Sequence, residues 1–129
     1  MNIVIIYCKT MQKFIKYSKI NKIKKKNIID ISQEMEENEI EYPKDLDYFN
    51  TIIFAKVNNI LSKGRDVYFF PRYDNDFKLE DILNLQHYLK FDVKMKMLVF
   101  FDEIRDDDDI VKNIFANIDK IESQVLKDY

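Results

Sequence analysis

Polar residues that could contact a phosphate follow the first apolar segment of this chain. Lys9 and Thr10 come directly after residues 3–7, which read IVIIY, and Lys13 lies one helical turn further on. In phosphate-binding loops, a lysine and a hydroxyl supply charge and a metal contact, and preceding glycines let backbone N–H groups turn towards the phosphate. Residues 7–10 contain no glycine. We expect no conventional triphosphate loop, and Lys9, Thr10 and Lys13 are candidate phosphate or nucleotide contacts.

Carboxylates end two other apolar segments. Asp30 lies in residues 28–31 (IIDI), and Asp102 and Glu103 follow residues 97–101 (MLVFF). Carboxylate oxygens at the end of a buried strand are suitable ligands for magnesium. An acidic rim without a metal has the same sequence pattern, and the glycine-free first turn favours it. We therefore expect no metal and no cofactor, and Asp102 and Glu103 are the residues that would hold a metal.

The cysteine and histidine content excludes several kinds of site. Cys8 is the only cysteine and His87 the only histidine, so an intramolecular disulfide is impossible and a zinc site would need carboxylate ligands. We expect Cys8 to be a buried apolar thiol and His87 to lie at the surface. A lone thiol, and an apolar start too short for a signal peptide, favour a cytoplasmic protein.

Charge is distributed unevenly, although the net charge is only −2. Residues 1–26 carry eight lysines and no acid, whereas residues 34–47 carry seven acids and one lysine. The lysines, interleaved with Phe14 and Tyr17, could follow a phosphate backbone, although a solvated helix face has the same pattern. The candidate nucleic-acid contacts are Lys16, Lys19, Lys22, Lys24, Lys25 and Lys26. We interpret residues 33–47, which include this acidic stretch, as a loop or lid with some helical character.

Four short apolar runs predict the strands that position these residues. They are residues 3–7, 28–31, 67–70 and 97–101, and nearly continuous β-branched and aromatic runs are typical of strands buried on both faces. Segments with helical spacing lie between them, and the second of these ends at Gly64, which suits a helix C-terminus. A fourth helix is predicted from Asp106–Asp109 through Val125, with the acids at the positive end of its dipole.

Strands and helices therefore alternate along the chain. This order predicts an α/β fold: one domain over residues 1–129, with three layers in which a mostly parallel four-stranded sheet has helices on both faces. Ligands of such sheets bind beyond the carboxyl ends of the strands.

The chain resembles the P-loop kinases, in particular the phage polynucleotide-kinase-like and small nucleotide-kinase domains. The segments that carry the resemblance are NIVIIYC before a helix, NIIDIS, FAKVNNILSKGRDVYFFPRY, LEDILNLQHYLKF, MLVFFDE and a helix after Arg105. The resemblance implies that Asp30 stands at the place of the substrate-activating acid and that Arg105 lies where arginines close on phosphates. The glycines are missing, and Pro71 replaces an acid after Phe70, so the chain resembles a degenerate, inactive relative.

These observations predict a non-catalytic α/β binding protein that acts on a macromolecular partner, which we expect to be a protein. One alternative is a nucleotide-binding or kinase-like enzyme with a non-standard phosphate site. Another is a nucleic-acid-binding protein that uses the lysine-rich first helix. No apolar run is long enough to cross a bilayer, so we expect no membrane contact. The richness in Ile, Lys and Asn is typical of AT-rich genomes, and we expect a phage or viral protein in the host cytoplasm.

Overall fold

A parallel β-sheet forms the centre of the protein. The structure is a computed structural model, and it describes residues 1–8, 10–42, 44–70, 84–100 and 122–126. The strands are β1 (Asn2–Tyr7), β2 (Ile28–Asp30), β3 (Val67–Phe70), β4 (Lys94–Phe100) and β5 (Glu122–Leu126). Their order across the sheet is β2-β3-β1-β4-β5, and every neighbouring pair is parallel.

The helices whose full ranges lie in the described residues are α1 (Met11–Ile20), α2 (Ile31–Glu37) and α3 (Leu46–Ser62). Short 3-10 turns occupy Lys25–Asn27 and Gln86–Tyr88. Within the ranges that the structure describes, no helix is both long enough and apolar enough to span a membrane.

The sheet is apolar on both faces because successive side chains of β1 point in opposite directions. Ile3 and Ile5 belong to the larger core, which α3 covers with side chains that include Phe49. Val4 and Ile6 belong to the smaller core, which α1 covers with side chains that include Phe14 and Tyr17. Helices on both faces confirm the three-layer α/β prediction.

The described crossovers share one hand. The connection from β1 to β2 passes over β3 and carries α1 on the face of the smaller core. The connection from β2 to β3 runs in the opposite direction and carries α3 on the face of the larger core. Reversing both the direction and the face keeps the hand unchanged, as expected for parallel units. The helices that leave β1 and β2 therefore lie on opposite faces.

All four predicted strands are present: β3 has the predicted range, and the other three differ at one or both ends. Ile31 begins α2 instead of ending β2, and β4 begins at Lys94, where it pairs with Asn2. The sheet also contains β5, whose Val125 pairs with Val99 of β4. The prediction that the last helix runs through Val125 is therefore wrong at that end. The predicted beginning of that helix, residues 106–109, lies outside the described residues.

A residue with positive φ follows the C-cap of each of α1, α2 and α3. Gly64 (φ 72°) follows α3 as predicted, whereas Lys22 (φ 55°) follows α1 and Glu39 (φ 53°) follows α2. The Ile23 N–H donates to Ser18 O at 2.9 Å, which closes a six-residue loop at the end of α1. Residues other than glycine are strained in this left-handed conformation. Holding Lys22 and Glu39 in it therefore lowers the stability of the folded protein.

Candidate nucleic-acid interface

Two loops that are distant in sequence meet at the amino edge of the sheet. One precedes β2 and the other precedes β3, and these strands are parallel neighbours in which Ile28 pairs with Tyr68. Chains entering neighbouring parallel strands arrive at the same edge of the sheet. The loops bring five cationic residues together, which we name the basic cluster: Lys22, Lys24, Lys26, Lys63 and Arg65.

Like charges in the basic cluster repel one another. The pKa of Lys26 is lowered, chiefly by Arg65, with smaller contributions from lost hydration and from Lys24 and Lys63. The only ion pairs found among the described residues join Lys56 to Glu34 and Lys44 to Glu41, so no cluster member has an ion-pair partner there. The cluster is thus a concentrated positive charge on a protein of negative net charge.

Asp66 is the acidic residue that lines the basic cluster, and Asn2 holds its carboxylate. The backbone N–H of Asn2 donates to Oδ1 at 2.8 Å, and the Asn2 side-chain amide donates to Oδ2 at 3.4 Å. These bonds connect the beginning of β1 to the beginning of β3. Asp66 therefore offsets part of the positive potential, and its oxygens bond to neutral donors.

A concave pocket of about 290 Å³ opens within the basic cluster. Its lining consists of Asn21, Lys22, Ile23, Lys24, Asn27, Arg65, Asp66 and Tyr68. Tyr68 is half-buried, and its inner part packs against the smaller core. Burial raises the pKa of Tyr68 and the charge of Asp66 raises it further, so its phenol is neutral at physiological pH. The pocket combines cations, amides and a neutral aromatic ring.

The lysines predicted to contact nucleic acid separate into two groups. Lys22, Lys24 and Lys26 belong to the basic cluster, whereas Lys16 and Lys19 are exposed on α1, and Lys19 and Lys25 line a groove between α1 and α2. The cationic surface is therefore centred on the loop after the first helix, not on the helix itself. Sequence reasoning missed Lys63 and Arg65, because their proximity depends on β2 and β3 being neighbours.

Two of the predicted phosphate contacts, Thr10 and Asp30, cap different helices. The Lys13 N–H donates to Thr10 Oγ1 at 3.3 Å, so Thr10 caps the beginning of α1. Asp30 caps α2 by accepting from the Gln33 N–H at 3.2 Å. Because β3 lies between β1 and β2, the ends of those two strands are about 10 Å apart. Lys9, Asp102, Glu103 and Arg105 lie outside the described residues.

The groove between α1 and α2 has a volume of about 770 Å³ and lies beyond β2, beside Asp30. Its floor is apolar, with Phe14 and Ile28, and its walls carry both acids and lysines. The buried Glu34 pairs there with Lys56 of α3. Opposite charges balance across this groove, so it lacks the single sign of the basic cluster.

Cys8 and His87 lie where the sequence predicted. Cys8 is fully buried in the smaller core and His87 is exposed, which confirms both predictions. Within the described ranges, no three His, Cys, Asp or Glu residues are grouped so that they could hold a metal ion. Residues 33–47 are helical at both ends, in α2 and α3, which confirms their partly helical character.

Comparisons with protein-family models, with curated proteins and with solved structures found no match to this chain.

Proposed function

We propose that this protein is a non-catalytic α/β binding protein that binds nucleic acid through the basic cluster. The observation that carries the proposal is the convergence of five cations from two separate loops, without ion-pair partners in the described chain. A phosphate backbone supplies a row of negative charges and releases counterions when lysines and arginines neutralise it. Nucleic acid is one of the alternatives that the sequence offered, and the protein partner stays a prediction.

Helix ends explain part of the basic cluster but not all of it. Lys22 and Lys63 lie at the ends of α1 and α3, where the helix dipole favours a cation. Lys24, Lys26 and Arg65 lie beyond those ends, and their crowding opposes folding. Charges held together against their own repulsion are better explained by an anionic partner than by stability.

We propose that the chain is also a degenerate relative of the P-loop kinases. The absence of glycine from residues 7–10 supports loss of catalysis, and the central position of β1 supports the resemblance. A thermal-shift series with nucleotides and magnesium tests it. A bound nucleotide at 100 times its Kd would add about 2.7 kcal/mol to the free energy of unfolding. We expect no shift, and a clear shift would restore the enzyme alternative.

Nucleic-acid binding is measured by fluorescence anisotropy with labelled DNA and RNA between 50 and 200 mM salt. Contacts to about three to five phosphates predict a slope of log K against log salt of about −2 to −5. The variant Lys24→Glu/Lys26→Glu should lower the affinity at least 10-fold. The control Lys44→Glu/Lys90→Glu changes net charge equally at exposed sites outside the cluster and should bind like wild type. Equal losses in both variants, or no binding by wild type, would overturn the proposal.

A further inference from the structure

The pocket in the basic cluster has features that phosphate binding alone does not require. Its volume of about 290 Å³ is at the lower end of the range of small-ligand sites. Tyr68 and Ile23 give it an apolar side, while Lys22, Lys24 and Arg65 stand around it. Charge neutralisation needs only cations on a surface, so the concave shape and the aromatic ring need another explanation.

An amide in this pocket also has unused hydrogen-bonding capacity. The side-chain oxygen of Asn27 is buried, and it has no hydrogen-bond donor in the part of the chain that the structure describes. A buried acceptor without a donor is costly, so Asn27 would gain from a donor that its side chain reaches by turning towards the pocket. The Asn21 amide, in contrast, already donates to Tyr17 O at 2.9 Å.

We infer that this pocket takes one unpaired nucleobase of a single-stranded nucleic acid, with the base against Tyr68 and the adjoining phosphates beside Lys22, Lys24 and Arg65. The inference rests on the proposed function and specifies its substrate. Proteins that bind single strands combine a cationic surface with aromatic rings on which bases stack. In a duplex the bases are stacked and paired, so none is available to a concave pocket of this kind.

Because β2 and β3 begin at the same edge of the sheet, one pocket can contact both a base and its phosphates. Lys22 and Lys24 come from the loop before β2, and Arg65 comes from the loop before β3. Tyr68 lies in β3 opposite Ile28, and it lines the same pocket as residues of both loops. A strand crossing this edge would place phosphates beside both loops and a base between them.

The first test uses wild-type protein and needs no substitution. Affinities are compared for a single strand, a blunt duplex of the same sequence and a single strand in which abasic residues replace the central nucleotides. The abasic strand keeps every phosphate and loses only bases. We expect the single strand to bind about 5- to 100-fold more tightly than the abasic strand, the range that one stacked base provides. The duplex should bind like the abasic strand.

Substitution of Tyr68 tests the same contact from the protein side. Tyr68→Phe keeps an aromatic ring and should bind the single strand within about twofold of wild type. Tyr68→Leu should lose the single-strand preference while its duplex affinity is unchanged. Thermal unfolding checks that both variants fold, and the abasic comparison decides the inference if Tyr68→Leu does not.

The outcomes separate the two proposals. Equal binding of single, abasic and duplex strands, with a steep salt dependence, would overturn the pocket inference and leave nucleic-acid binding intact. No binding of any strand would overturn the proposed function and the inference with it. Tight binding that persists after the double charge reversal at Lys24 and Lys26 would also overturn both, since it would place the contact elsewhere.

Discussion

Lys26 and Arg65 lie on neighbouring loops, and the charge of Arg65 is the largest cause of the lowered pKa of Lys26. Lys26 comes just before β2, and Arg65 comes just before β3. The fold therefore brings two positive charges together where their repulsion opposes folding. Removing either charge should therefore raise the free energy of unfolding and lower the affinity for nucleic acid.

Neutralising Lys26 should stabilise the protein and weaken nucleic-acid binding. The variant Lys26→Gln removes the repulsion from Arg65, Lys24 and Lys63, so we expect a higher Tm at low salt. The difference in Tm should shrink as sodium chloride screens the charges, because the Debye length falls to about 10 Å at 0.1 M. Differential scanning fluorimetry measures it. A lower Tm in Lys26→Gln at every salt concentration would contradict the repulsion.

The pH dependence of that variant has a definite sign. Lys26 has a lower pKa in the folded state than the ordinary 10.5, so the unfolded chain binds more protons between those two values. The contribution of Lys26 is destabilising at neutral pH and disappears as pH rises towards 10.5. Wild type and Lys26→Gln should therefore converge in free energy of unfolding over this alkaline range. Urea titrations at a series of pH values test this, and a gap that widens with pH would contradict it.

The residues with positive φ after α1 and α2 allow a matched test. Lys22→Gly and Glu39→Gly each relieve a left-handed side chain, and after the entropy cost of glycine we expect a gain of about 0.5–1 kcal/mol from each. Only Lys22 belongs to the basic cluster. Lys22→Gly should therefore weaken nucleic-acid binding several-fold, whereas Glu39→Gly should not. Urea unfolding and anisotropy on the same samples measure both effects, and equal affinities would remove Lys22 from the interface.

The sequence predicted the layers of the fold because burial on both faces leaves a local pattern. Runs such as residues 67–70 are too short for a buried helix and too apolar for a surface strand. The strand β5 has no such pattern, since residues 122–126 read ESQVL and Val125 also continues a helical spacing. Its pairing with β4 is a tertiary contact, which overrides local preference.

The sequence predicted the part of the candidate interface that lies in one loop, but not the part that a second loop contributes. A run of lysines from Lys22 to Lys26 is visible in the sequence, but Lys63 and Arg65 are ordinary residues after a helix. Their role depends on strand order, because β2 lies beside β3 and not beside β1. Sequence reasoning placed the chemistry at the carboxyl edge by the general rule for parallel sheets. In the described residues the charge is instead concentrated at the amino edge.

The stacked rings of Phe14 and Phe70 attach α1 to the sheet. Their centroids are 4.2 Å apart and their planes differ by 10°. Phe14 is buried in the smaller core, so Phe14→Ala should cost about 3–5 kcal/mol and lower the Tm by about 10–20 °C. Ile15→Ala on the same helix is the control, because Ile15 is 44% exposed and its loss should cost far less. Similar Tm values for the two variants would show that α1 is not anchored by this contact.

The ion pair of Glu34 and Lys56 joins α2 to α3, and it should contribute more than an exposed pair. Glu34 is only 8% exposed, so Lys56→Met leaves a buried carboxylate with the Asn38 amide as a distant donor at 3.5 Å. We expect Lys56→Met to lower the free energy of unfolding by about 1–3 kcal/mol. This is less than the cost of breaking a fully buried ion pair, because Lys56 is half-exposed.

A double-mutant cycle isolates the Glu34–Lys56 interaction. Adding Glu34→Gln to Lys56→Met should restore part of the lost stability, with a coupling energy of about 1 kcal/mol or more, because the charge that lost its partner is gone. The matched control is Glu41 and Lys44, which lie 3.5 Å apart with both side chains more than 70% exposed. The double-mutant cycle of Glu41 and Lys44 should give a coupling energy of less than about 0.5 kcal/mol. Equal coupling in the two cycles, measured by urea unfolding, would mean that burial of Glu34 adds nothing to the contact between α2 and α3.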